Sequence, residues 1–245
     1  MTAAVSQRAR AGYGPVQLAA YLGLEQWQFA RARATGLVPD PDRPRGRWSA
    51  QVAAVVLVRA GQIRAVAGSV PDLGAVRAAE FLAGRLGAAV TPDGVEELAR
   101  RGLVPVAGSF KGYPVYDGRA LEAFADADAA AEATRAGQLR TATQSAAYLR
   151  IRRSDLNHLI RSKILEPVKY GRGPWDRRDT CTVALYRTGD LDRLLTRADI
   201  DWAAVRATPP GRRSPLAAPA QAEAVLAALA ALPGPEPDPE VLNVP

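Results

Sequence analysis

Arginines, not nucleophiles or metal ligands, carry the chemistry that this 245-residue sequence offers. Two loops concentrate them. The stretch Asp40-Pro41-Asp42-Arg43-Pro44-Arg45-Gly46-Arg47-Trp48 sets Arg43, Arg45 and Arg47 at alternating positions, which an extended strand turns to one face. The stretch from Lys169 to Arg178 brings Lys169, Arg172, Arg177 and Arg178 into a loop that holds Gly171, Gly173 and Trp175. Such cations neutralise phosphates or enter a minor groove, whose negative potential favours arginine. His158 and Cys181 are the only residues of their kinds, so there is no zinc spacing, no Ser-His-Asp set and no intrachain disulfide. A Gly-rich nucleotide loop is missing as well. The residues imply binding without catalysis, metal or cofactor.

Beside each basic loop runs a stretch with helical periodicity. In the later one, Ser154 reads as an N-cap, and Asp155, Asn157, His158 and Arg161 fall on the face opposite Leu156, Leu159 and Ile160. Arg152 or Arg153 suits guanine, Asn157 suits adenine, and Ser154 suits a phosphate. The earlier stretch offers Gln26 and Gln28 for adenine edges or phosphates, with Arg31 and Arg33 behind them; Glu25 works against phosphate. A third stretch, Thr91-Pro92-Asp93-Gly94-Val95-Glu96-Glu97, puts acids in its first turn, which favours the helix but not an anionic partner.

What must position these residues is a repeat. Ala19-Ala20-Tyr21-Leu22, Ala78-Ala79-Glu80-Phe81-Leu82 and Ala146-Ala147-Tyr148-Leu149 each open a segment. A second helical stretch follows in each and stops at Gly36-Leu37-Val38-Pro39, Gly102-Leu103-Val104-Pro105 or Ile164-Leu165-Glu166-Pro167. Then come a loop and one aromatic, Trp48, Tyr116 or Tyr186, and a further helix. Small alanines let two helices approach closely, proline ends the second, and the loop with its inward aromatic reads as a β-hairpin. The predicted fold is mainly α with short β-hairpin wings, as tandem winged helix-turn-helix units.

Residues 141–195 resemble the winged helices of the phage excisionase and mercury-resistance-regulator (MerR) superfamily; residues 14–60 resemble them nearly as well, and 75–125 more loosely. The resemblance implies DNA binding and leaves the role open among transcription regulation, recombination and segregation. The spacings differ between copies. From first-helix Leu to stop Leu they are 15, 21 and 16 residues, which predicts an elongated turn from Ala83 to Val90 in the second. No long coiled-coil helix follows the repeats.

The expected division is a flexible basic arm at 1–13, winged helix 1 at 14–64, an acidic, degenerate winged helix 2 at 69–125, a helical connector at 126–140, winged helix 3 at 141–202 and a Pro/Ala-rich tail at 203–245. Residues 206–219 and 233–245 read as disordered, with a short helix at 222–232 between them that packs back or self-associates. Charge follows the same division: seven basic and three acidic residues at 14–64, six and nine at 69–130, thirteen and eight at 140–202. A uniform arginine bias would not alternate in this way.

The expected partner is double-stranded DNA, with the middle unit or the 222–232 helix available to a protein partner or a second copy. The leading role is a sequence-specific transcription regulator. A phage- or plasmid-type recombination or segregation accessory comes next, and a protein-interaction module of degenerate winged helices is the rival. Nothing approaches the ~18 apolar residues that span a bilayer, and the first residues lack a signal peptide's apolar core. A cytoplasmic, nucleoid-associated protein is expected.

Overall fold

The computed structural model describes residues 12–172 and 182–217, which form two compact units, Met1–Gln138 and Leu139–Pro245. The arm at 1–11, the hairpin tip with Cys181 and the 222–232 helix lie outside the described residues. About half of the chain is helical, and two small antiparallel sheets of three strands each complete a mixed α/β fold. "Mainly α" therefore understates the strands. A strand before the first helix of the middle and third segments, which the sequence reading does not contain, builds a sheet out of each hairpin.

Unit one holds two segments. The first runs α1 (Pro15–Tyr21), α2 (Gln26–Ala34), α3 (Ala50–Val58) and α4 (Ala60–Ala67). The middle one runs β1 (Leu73–Gly74), α5 (Ala75–Leu86), α6 (Pro92–Arg100), β2 (Val106–Phe110), β3 (Tyr113–Tyr116), α7 (Gly118–Ala123) and α8 (Ala127–Gly137). Unit two runs β4 (Leu139–Thr141), α9 (Ala142–Leu149), α10 (Arg153–Arg161), β5 (Lys169–Arg172), β6 (Thr182–Arg187), α11 (Thr188–Leu195) and α12 (Trp202–Ala207).

The repeat seen in the sequence has a common hydrogen-bonding register. The strand order is β1-β3-β2 in one sheet and β4-β6-β5 in the other, so in both the leading strand pairs with the second strand of the hairpin. Tyr116 lies opposite Leu73, and Tyr186 opposite Arg140. The first segment keeps only bridges, Tyr13 to Trp48 and Arg43 to Arg47, in the corresponding places. Tyr13 thus belongs to the fold and not to an N-terminal arm. All three closing aromatics are buried, as are Leu22, Leu82 and Leu149 of the first helices and Val38, Val104 and Leu165 of the stops. Each segment has its own hydrophobic cluster. Trp48 illustrates how one is closed: its ring meets Phe29 edge-on at 5.6 Å, and its indole N–H donates to the Pro39 carbonyl at 2.7 Å.

Two boundaries differ from the spacing argument. The extra residues of the middle segment lengthen α5 through Ala83 to Leu86, and Gly87 in the left-handed region (φ 65°) then stops it. Four of the additional residues thus extend the helix, and the turn that follows, 87–91, is also longer than 22–25 or 150–152. The connector is a helix, α8, but it is packed tightly on α6 and belongs to unit one. A Cβ at Gly94 would come within 2.9 Å of the Thr134 Cα, and one at Gly137 within 2.4 Å of the Asp93 carbonyl oxygen.

No single helix among the described residues is long and apolar enough to cross a membrane; α3 and α4 pass only as a pair, bent by 66°.

Candidate nucleic-acid interface

In unit two, α9 and α10 are joined by a tight turn in which Arg150 adopts the left-handed region (φ 57°). The N-cap of α10 is Arg152, two residues before Ser154. The Asp155 carboxylate reaches back and accepts the Arg152 amide at 3.1 Å. Leu156 and Leu159 enter the core, which leaves Arg153, Ser154 and Arg161 exposed and Asn157 and His158 half-buried. Arg153 lies near the Tyr186 hydroxyl on β6, where its charge opposes the rise that burial imposes on the phenol. Lys169, the first residue of the β5–β6 hairpin, is exposed. Arg153 and Arg161 form no ion pair with a described carboxylate. The Arg172 side chain, Arg177 and Arg178 lie outside the described residues.

Two residues of this helix depart from expectation. Asp155, expected on the exposed face, is completely buried, and Arg152 is bound to it by Nε at 2.8 Å and Nη2 at 2.7 Å. The same guanidinium donates from Nη1 to the carbonyls of Pro209 (2.8 Å) and Arg212 (3.1 Å). Burial pushes the Asp155 carboxyl up, but the bonds from Arg152 and Ser214 outweigh it and hold the group below its ordinary range. Arg152 is therefore occupied by its own protein and is not presented to a base. The reading of 206–219 as disordered falls with it as far as residue 217: Ser214 is buried, and Leu216 packs against the core of unit two.

In unit one, α2 presents fewer of its polar side chains than its sequence suggested. Gln28 is buried, accepting the Glu25 amide at 3.0 Å through Oε1 and donating to the Gly68 carbonyl at 2.9 Å. Arg31 stacks over Trp27, pairs with Asp72, and donates to the carbonyls of Ala67 and Val70. Asp72 in turn accepts the Gly118 amide at 3.0 Å. Gln28 and Arg31 join α2 to the linker and the middle segment; neither is available as a base reader. Arg47 donates to the Gly12 carbonyl at 2.6 Å, which closes the leading strand on the hairpin. Gln26, Arg43 and Arg45 remain exposed, and Arg45 takes a positive φ (62°) at the hairpin tip. Arg33, over the Trp48 ring, is exposed beside them.

No protein-family model, curated protein or solved structure matches the chain. What the surface offers must be argued from its own residues. Among the described residues there is no cluster of side chains able to hold a metal ion.

The middle segment contrasts with the other two. Of α6, only Pro92 and Arg100 are exposed, because Val95 and Leu98 fill the core on one side and α8 covers the other. Glu97 is fully buried at that contact, with Arg100 Nη2 at 2.5 Å and Arg101 Nε at 2.8 Å, while Arg101 also reaches Glu132 of α8 at 3.6 Å. Burial raises the carboxyl, but the two guanidiniums overcome it and bring the value down to about 2. The folded value lies below the ordinary 4.5, so the pairs contribute stability that is complete above 4.5 and is lost as pH falls towards 2. Unit one of Glu97→Gln is expected to be less stable at pH 6 and to lose less on acidification. Melting temperatures of both proteins from pH 6 to pH 2 measure this, and parallel curves would remove Glu97 from the account.

Proposed function

We propose that the chain binds double-stranded DNA as three tandem winged helix-turn-helix units, of which the first and third engage the duplex and the middle one serves as a spacer. The observation that carries this reading is the exposed face of α10: Arg153 and Ser154 at its N-terminus and Arg161 at its C-terminus stand exposed on a helix whose opposite face is sealed in the core. In a helix-turn-helix the N-terminal end of the second helix meets base edges, while the hairpin tracks the backbone. The first segment supplies Arg43 and Arg45 on its hairpin and Gln26 at the start of α2. The middle segment carries more acid than base, and its second helix is covered. The role favoured is a sequence-specific transcription regulator of the bacterial nucleoid, and next to it a recombination or segregation accessory.

The test is binding of the full chain to a random-sequence duplex over a range of salt. Affinity is expected to fall steeply with salt, with a slope of about 0.9 for each phosphate contact, and Arg153→Ala/Arg161→Ala to bind more weakly throughout the range. A second reading is favoured by the first segment, where Val55, Leu57 and Val58 of α3 are exposed, Val58 at 88%. Such a patch suits a protein partner. Negligible binding at low salt would favour that reading over DNA.

A further inference from the structure

The Pro209–Arg213 segment gives unit two a basic element that neither the α10 face nor the hairpin contains. Pro209-Pro210-Gly211-Arg212 is a tight turn: the Arg212 amide donates to the Pro209 carbonyl at 3.3 Å, and Gly211 takes φ 80°. Proline at the second position and a positive-φ glycine at the third are the requirements of a type II turn. The turn is held on both sides. Arg152 Nη1 reaches the carbonyls that open and close it, at 2.8 and 3.1 Å. Downstream, Ser214 is buried against Asp155, the Leu216 amide donates to the Ser214 hydroxyl at 3.2 Å, and Leu216 packs against the core. One planar guanidinium with five donors serves a carboxylate and two carbonyls at once, which an ammonium does not.

The result is positional. Arg212 and Arg213 are exposed, and the Arg212 backbone lies within reach of the side chain of Arg152, the residue immediately before Arg153. From 203 to 217 there are three arginines and no acid. One of them, Arg206, is exposed but donates to the Leu149 carbonyl and lies over the Trp202 ring. Arg212 forms no ion pair with a described carboxylate. The turn does not act as a cover, because Arg153 and Ser154 are exposed with it in place. We propose that this turn is a further DNA-contacting element of unit two, in which Arg212, with Arg213 exposed next to it, meets a backbone phosphate beside the groove that α10 enters, and Arg152 and Asp155 are its positioning residues. The proposal rests on the reading of unit two as DNA-binding.

Both residues are exposed, and circular dichroism and thermal melting check that Arg212→Ala/Arg213→Ala keeps the parent's fold. Binding of the full chain to a random-sequence duplex, followed by anisotropy at several salt concentrations, is the measurement. Arg212→Ala/Arg213→Ala is expected to bind several-fold more weakly at moderate salt, with a lower slope. Arg153→Ala/Arg161→Ala is measured alongside. If that variant weakens while Arg212→Ala/Arg213→Ala keeps the parent's affinity and slope, the turn is structural only and the proposal is overturned, with the DNA reading intact. If the parent itself does not bind duplex at low salt, both fall.

Discussion

Arg152→Ala is expected to lower the urea midpoint of unit two clearly, because it leaves the Asp155 carboxylate buried without its counter-charge, and to leave the ranking of DNA sites unchanged. Its neighbour should do the reverse: Arg153→Ala is expected to alter site preference with no more than the ~0.5 kcal/mol of an ordinary surface change. The difference between two adjacent arginines comes from what each side chain meets. Arg152 neutralises Asp155, which has no exposed surface, so its removal strands a carboxylate inside the core. It also frees the carbonyls of Pro209 and Arg212. Arg153 stands exposed at the first position of α10. Urea unfolding, with amide exchange in α10 as the local probe, measures the first effect. Selection of duplexes from a random pool measures the second. A changed site preference with undiminished stability in Arg152→Ala would make that residue a base reader after all.

These two arginines also mark how far the sequence alone could be read. Helix, hairpin and repeat were legible because they depend on local patterns: an alanine pair that lets helices close, a Leu and then a proline at the stop, one aromatic on the second hairpin strand. Trp48, Tyr116 and Tyr186 are buried in equivalent register for that reason. Which cations are free was not legible, because many of their partners lie far away in the chain. Arg31 meets Asp72 41 residues on, and Arg152 meets Pro209 57 residues on. No window of helical periodicity contains those distances. The leading strands were missed for another reason: two or three residues, or a single bridge at Tyr13, are too short to show alternation.

The turn at 209–212 is written in the sequence. Pro-Pro-Gly-Arg carries the residue types that a type II turn demands, but a composition averaged over 206–219 registers only proline and arginine. Asp155 misled in the opposite sense. On a helical wheel it falls with Asn157 and His158, yet its carboxylate turns back to cap α10 and bind Arg152, and burial follows from those bonds. A charged residue three positions after an N-cap is as much a signal of capping as of exposure.

The largest effect in unit one is expected at the contact that distinguishes the middle segment from the others. Gly137→Ala and Gly94→Ala should each destabilise unit one by about 3 kcal/mol, the upper part of the range for overpacking. In an open helix the same exchange helps by up to about 1 kcal/mol, because alanine has the higher propensity. The sign is decided by the backbone. A Cβ at Gly137 would sit 2.4 Å from the Asp93 oxygen and 2.8 Å from its carbonyl carbon, and one at Gly94 2.9 Å from the Thr134 Cα. Backbone cannot step aside as a flexible side-chain end does, so α8 must lift from α6. Gly84→Ala provides the control. Gly84 is exposed within α5 with nothing within 4 Å of its Cβ position, and that variant is expected to be slightly more stable than the parent. Urea midpoints of the three variants check the ordering. If Gly137→Ala proved as stable as Gly84→Ala, α8 would not be tightly seated, and the argument that it closes off the second helix of the middle segment would fail with it.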